Sequence, residues 1–165
     1  MSTTESSATG VQALQDRFDV MDALFQYTTS IDKFDYAGVR DVLADDIHAT
    51  YGNGEPVTDP DALAAWIEEA TATCIWQHHQ LSPYQIQIQG DQAKTLSYLT
   101  SLQVFKENPD AAVVLVARYH DELKRTPGGW KISRRVMEIL WGESRADDGY
   151  LANVGGRGPN VWQRD

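Results

Sequence analysis

Near residue 74 the chain changes its rhythm. From Val11 to Ile31 the positions Leu14, Phe18, Met21, Leu24, Phe25, Thr28 and Ile31 recur at three- and four-residue steps, which is one face of an amphipathic helix. Beyond residue 74, β-rich runs are punctuated by turn residues: Ile75–Gln89, Ala93–Phe105, Ala112–Leu123 and Trp130–Trp141, broken at Gly90-Asp91, Asn108-Pro109-Asp110 and Pro127-Gly128-Gly129. Hairpin connections of this length imply antiparallel pairing. Helices first and a meander afterwards define an α+β domain, with the helices gathered against one sheet.

Three shorter elements fill the first half. Asp35 is a good N-cap for a short helix with Val39, Val42 and Leu43 facing inward. Ile47 to Tyr51 reads as a strand ended by the Gly52-Asn53-Gly54 turn. Thr58-Asp59-Pro60-Asp61 opens a third helix, with a capping side chain, Pro in the first turn and acid at the positive end of the dipole. Its buried stripe is expected to be Leu63, Trp66, Ile67 and Ala70. Trp130 and Trp141, like Trp76, are expected mostly in the core.

Composition narrows the partners. The chain has 165 residues, one domain's worth, and needs neither disulfide nor structural metal to bury a core. Asp and Glu number 24 against 14 Lys and Arg, for a net charge of −10, so phosphate backbones and anionic lipid repel it. The single Cys74 excludes an intrachain disulfide and the usual cysteine-rich zinc sites. No apolar window reaches the length of a membrane span, and MSTTESSATG has neither the basic nor the apolar part of a secretory signal. The expectation is a cytoplasmic protein: residues 1–10 a flexible leader, 11–141 the domain, and 142–165 a tail that loops or covers a pocket.

The succession of helix, Tyr27 to Asp32, short helix, "LADDIHATY", capped third helix, "HH", "IQGDQA" and "ARYHDELKRTPGGWKISRR" resembles the SnoaL-like branch of the nuclear transport factor 2-like superfamily. The resemblance spans residues 11 to 141, and it rests most on "YTTSID", on the His eleven residues before Gly90, and on "GGWKI". It implies a cone-shaped, strongly curved antiparallel sheet wrapped around the three helices and enclosing an apolar pocket. Relatives of this type include polyketide cyclases, scytalone dehydratase, bile acid dehydratase, a dehydrochlorinase of chlorinated cyclohexanes and non-catalytic members. The lyases among them use a His–Asp pair with one or two tyrosines and neither metal nor organic cofactor.

Carried onto this sequence, the resemblance makes His79 the general base, Asp32 the acid that orients it, and Tyr27 the hydroxyl that holds a substrate oxygen. A neutral imidazole accepts a proton near neutral pH, and a carboxylate on one ring nitrogen fixes the tautomer. His78 faces the other side of a regular strand, and a bulge would exchange the two, so both stay in the candidate set. Tyr51 and Trp66 are further candidates for contact with the substrate. His120 belongs there only if a bulge turns it inward, because strand parity places Ala117, Tyr119, Asp121 and Leu123 inside instead. The four histidines offer no spacing for a tetrahedral metal site.

Two classes of function follow. One is a cofactor-free lyase or isomerase of dehydratase type, acting on a hydrophobic cyclic oxygenated small molecule, or a polyketide cyclase using the same base. The other is a non-catalytic binding or assembly module with a filled cone. A homodimer or higher oligomer is expected in either case, since Val113, Val114, Leu115 and Val116 put apolar side chains on both faces of one strand.

Overall fold

The computed structural model describes residues 3–146 together with Asp148 and Trp162. Its elements run α1 (Thr3–Asp32), α2 (Tyr36–Asp41), β1 (Leu43–Tyr51), α3 (Pro60–Ala70), β2 (Cys74–Gln89), β3 (Gln92–Phe105), β4 (Ala111–Thr126) and β5 (Gly129–Ala146). Strands β2 to β5 form the expected antiparallel meander, and the full sheet has the order β1-β5-β4-β3-β2. The first strand is the addition: β1 runs parallel to β5, so the sheet is mixed. Hairpin logic could not reveal that pairing, because its partners lie at opposite ends of the domain. The sheet is curled but not closed, and β1 and β2 remain its two edges. Register breaks between Cys74 and Trp76, Pro83 and Gln85, Val116 and Ala117, and Glu122 and Leu123 supply bulges that bend and twist the strands.

Helix α1 lies against the concave side. Val20, Leu24, Tyr27 and Ile31 are buried there with Leu99, Ala117, Leu123, Ile132 and Met137. Arg125 fastens its middle by bonding Asp16 at 2.7 Å and Asp91 at 2.9 Å while lying over the Trp130 ring. The helix begins at Thr3 rather than Val11; Val11 and Leu14 stay exposed because the sheet is met only from about Asp16 onward, and Phe18, beyond that point, is exposed on a face turned away from the buried Val20 and Leu24. Expected strand ends also shift outward, β5 reaching Ala146 and taking the first residues assigned to the tail. Apart from Asp148 and Trp162, the rest of that tail lies outside the described residues.

The exit from α1 is tightly built. Asp35 N–H bonds the Ser30 carbonyl and Phe34 N–H the Ile31 carbonyl, a Schellman closure in which Phe34 takes the left-handed conformation at φ 59°. Asp35 then caps α2 through the Gly38 N–H at 2.9 Å. A Cβ at position 38 would stand 2.6 Å from Ser30 Oγ and 2.5 Å from Asp35 Oδ2, so glycine is what lets α2 fold back against α1. Helix α3 starts at the expected Asp59 cap, which accepts from Ala62 N–H. Its stripe differs from expectation in two places. Leu63, Ala64 and Ile67 are buried, whereas Trp66 and Ala70 are accessible because they face the mouth of a cavity. Trp130 is core as expected; Trp141 is 59% exposed, since the bulge before it turns it to the outer face.

Candidate active site

Between α1, α3 and the concave side of the sheet lies a cavity of about 310 Å³, walled mainly by apolar side chains such as Ile31, Ile67, Leu99, Leu115, Met137 and Ile139. It opens to solvent beside Trp66 and Ile139, which are 44% and 49% exposed. Among the described residues, none of those lining it is Lys, Arg, Asp or Glu.

His79 stands on this wall. Its Nδ1 is 2.6 Å from Asp32 Oδ1, and its backbone N–H donates to Asp32 Oδ2 at 3.0 Å. One carboxylate therefore grips both the ring and the main chain of the same residue, and both side chains are more than nine-tenths buried. Nδ1 must carry the proton to bond a carboxylate, which leaves Nε2 as the ring's acceptor. Asp32 reaches this position as the last residue of α1, at the negative end of the helix dipole, with no basic residue in that turn to favour it.

Tyr27 lies five positions earlier on α1, about 7.5 Å along the helix axis. Its hydroxyl is 2.5 Å from that of Tyr51, at the end of β1, and both rings line the cavity. Trp66 stacks at a tilt on Tyr51, with centroids 5.0 Å apart. One hydroxyl of the tyrosine pair donates to the other, so one O–H remains to face a ligand. Burial pushes the Tyr27 hydroxyl above the usual tyrosine range, with Arg135 pulling only partly the other way. For Tyr51 enclosure raises it further, helped by the neighbouring Tyr27. Both act as neutral donors at ordinary pH.

Behind the tyrosines is a group that the sequence did not reveal. Arg135 Nε and Nη2 each bond an Asp121 oxygen at 2.7 Å, and both side chains are sealed from water. The guanidinium packs against the rings of Tyr27 and Tyr119, 4.0 Å from each centroid, and the two rings themselves meet edge to face with centroids 6.3 Å apart. Burial opposes its charge, and the Asp121 carboxylate more than restores it, so Arg135 stays protonated. Strict alternation along β5 from Trp130 and Ile132 would have put Arg134 inside. The bulge at Ser133 turns Arg135 inward instead, and Arg134 is exposed.

The structure thus brings His79, Asp32, Tyr27, Tyr51 and Trp66 together around one cavity. It does not bring the other two candidates there. His78 pairs with Leu102 across the strands and is exposed on the outer face, with no bulge to exchange it for His79. His120 is also outside, its Nε2 3.1 Å from Glu138, because β4 keeps its parity through this stretch and Tyr119 and Asp121 occupy the inner positions. Among the described residues no group of three or more His, Cys, Asp or Glu side chains could hold a metal ion, and no helix is long and apolar enough to cross a membrane.

Residues 12–136 match the SnoaL-like domain model. A candidate aromatic ring hydroxylase from Novosphingobium aromaticivorans is similar in structure, with a TM-score of 0.73 and 25% identity over 79% of this chain and 94% of its own. A candidate scytalone dehydratase from the same species has a TM-score of 0.73 at 17% identity, covering 83% and 95% of the two chains. A type 2 hexachlorocyclohexane dehydrochlorinase has a TM-score of 0.75 at 16% identity, covering 83% and 93%. These likenesses establish a shared fold.

Proposed function

The chain belongs to the SnoaL-like domain family of the nuclear transport factor 2-like superfamily, and on that footing we propose that it is a cofactor-independent lyase or isomerase acting on a neutral, hydrophobic ring compound that carries oxygen. The observation that carries this reading is the Asp32-held imidazole of His79 on the wall of an otherwise uncharged cavity. A wall without fixed charge suits an uncharged ligand, since a charged one would lose its hydration without a partner. At about 30 Å³ per water, the space equals roughly ten waters, enough for one or two fused six-membered rings.

In the proposed reaction, His79 Nε2 removes a proton from carbon next to a substrate carbonyl. The carbonyl oxygen takes the charge, and the free O–H of the Tyr27–Tyr51 pair donates to it. His79 then returns the proton. Delivered to a hydroxyl at the next carbon, it releases water and leaves a double bond; delivered to a different carbon, it completes an isomerisation. Asp32 keeps the ring in one orientation and balances its charge while the proton is on it.

The same reading extends to self-association as a homodimer or higher oligomer. All three helices sit on the concave side, while Tyr84, Tyr98, Val113 and Trp141 leave apolar surface exposed elsewhere on the sheet. Tyr84 and Tyr98 stack with centroids 4.6 Å apart. Light scattering at micromolar concentration should return more than a monomer mass.

The catalytic reading is tested with a panel of neutral cyclic hydroxyketones in deuterated buffer, followed by mass spectrometry. Wild type should introduce deuterium next to the carbonyl and, in a suitable compound, eliminate water. Exchange that continues undiminished in His79→Gln would remove the base from its proposed role.

A further inference from the structure

Two polar side chains on the cavity wall have no part in that reaction. Ser101 and Gln103 both belong to β3 and, two residues apart, face the same side of the sheet. Ser101 is the cross-strand partner of His79, is 2% exposed, and lines the cavity. Thr71, the other aliphatic hydroxyl on the wall, is already engaged with the Ile67 carbonyl and Tyr36. Ser101 has the cavity itself as the place where a partner can sit.

Gln103 has a fixed orientation, and the reason is a chain of obligatory roles. The Ile31 carbonyl can only accept, so the Gln77 amide must turn its nitrogen to it, and does so at 2.5 Å. The Gln77 oxygen is thereby aimed at Gln103 and accepts from Gln103 Nε2 at 3.1 Å. Gln77 is buried between β2 and the end of α1, so the relay starts at a main-chain atom that cannot rearrange. Flipping the Gln103 amide would set two oxygens against each other. Gln103 thereby keeps its carbonyl oxygen, an acceptor, to offer the cavity, beside its second N–H.

We propose that Gln103 and Ser101 form a second polar subsite, beside His79, that accepts a hydrogen bond from a hydroxyl group of the ring compound. Gln77 is a positioning residue for it. The subsite rests on the reading of the cavity as a site for neutral rings, and it adds a preference: the ligand presents a hydroxyl, rather than an ether or a second carbonyl, to the Gln103 oxygen. The tyrosine pair offers a donor and the β3 wall an acceptor, so a ligand with one carbonyl and one hydroxyl is held in a single orientation.

The probes are 2-naphthol, its methyl ether 2-methoxynaphthalene, and naphthalene, titrated calorimetrically against the full chain near neutral pH. Wild type should bind 2-naphthol about tenfold more tightly than the ether, the effect of one hydrogen bond. In Gln103→Leu that ratio should fall to about one, with naphthalene binding unchanged; Ser101→Ala should lower it partly. Gln77→Leu frees the amide to turn its NH₂ to the cavity, so the ether should gain affinity while 2-naphthol loses it, an inversion that loosened packing would not produce. A preference that survives in both Gln103→Leu and Ser101→Ala overturns the subsite, as does wild type that binds naphthol and ether equally. If naphthalene itself does not bind, the reading of the cavity falls and the subsite with it; if all three bind alike, only the subsite falls.

Discussion

Asp32–His79 and Asp121–Arg135 are both carboxylate–nitrogen pairs withdrawn from water, with contacts of 2.6 and 2.7 Å. They serve different ends because of what lies beyond the nitrogen partner. His79 shows its ring to the cavity, where the proposed reaction has it take and return a proton. Arg135 has two aromatic rings packed against it, both Asp121 oxygens on its edge, and a charge that ordinary pH does not remove. In the proposed reaction the first pair is where charge changes; the second is a fixed charge packed against Tyr27 and Tyr119, whose rings meet edge to face. Burial and a short contact are common to both, so neither identifies a reactive group without an open face.

Substitution should separate the two pairs. The largest effect is expected at His79→Gln, with turnover of a compound found by the hydroxyketone panel falling ~10²–10⁴-fold while urea unfolding shifts little. Asp32→Asn should fall nearly as far, and the double variant no further than the worse single one, since a dyad that has lost one member has little left to lose. Full turnover in His79→Gln would erase the distinction drawn here.

Next is Arg135→Met, which leaves Asp121 buried without a partner and should lower folding stability by about 3–5 kcal/mol in chemical denaturation. Arg135→Met combined with Asp121→Leu should recover much of that, because the stranded charge is then gone. A single variant as stable as wild type would mean that the pair does not brace the fold.

A third test uses alkali. Tyr27, Tyr51 and Tyr119 are all raised by burial, so above about pH 10 the unfolded chain loses phenolic protons that the folded one keeps. The unfolded state then binds fewer protons, and stability should fall as pH rises, by roughly 1.4 kcal/mol per pH unit for each such tyrosine. Urea midpoints at pH 9, 10 and 11 check this; a flat midpoint would mean that these hydroxyls ionise in place. The smallest effect is expected at Asp35→Ala, which removes the α2 cap three residues from Asp32 and should cost about 1 kcal/mol of stability. A larger loss would show that the reactive pair depends on α2 for its footing.

The fold was largely legible because its cues are local. A change of period near residue 74, Asp caps at 35 and 59, and Gly or Pro at each hairpin mark the elements wherever they end up in space. The Asp32–His79 pair was legible through the resemblance, carried by "YTTSID" and the "HH" that precedes Gly90. What escaped is whatever depends on an irregular strand or on a distant partner. One extra residue at Ser133 exchanges Arg134 for Arg135, and no periodicity reports a bulge before the strands are paired. The parallel β1–β5 pairing is of the second kind. So is the Gln77–Gln103 relay, whose anchor is a helix carbonyl on another element. A local inconsistency did mark the site: an acid ends α1 where the dipole favours a base.

The pairing of Leu43 with Ile132 has a consequence for the chain as it leaves the ribosome. By the time β1 has emerged, the strand it must join has not been made. At synthesis rates of about 5–20 residues per second, some 5–20 seconds pass before β5 is available. Over that interval β1 has an open edge with nothing to cover it, while β2, β3 and β4 can pair with one another and begin to cover α1 as they appear. Tyr51 reaches the Tyr27 hydroxyl only when β1 is seated, so that half of the cavity is among the last features to be completed. A nascent chain stalled before Gly129 should keep β1 open to protease, and one stalled beyond Ala146 with the exit tunnel cleared should protect it.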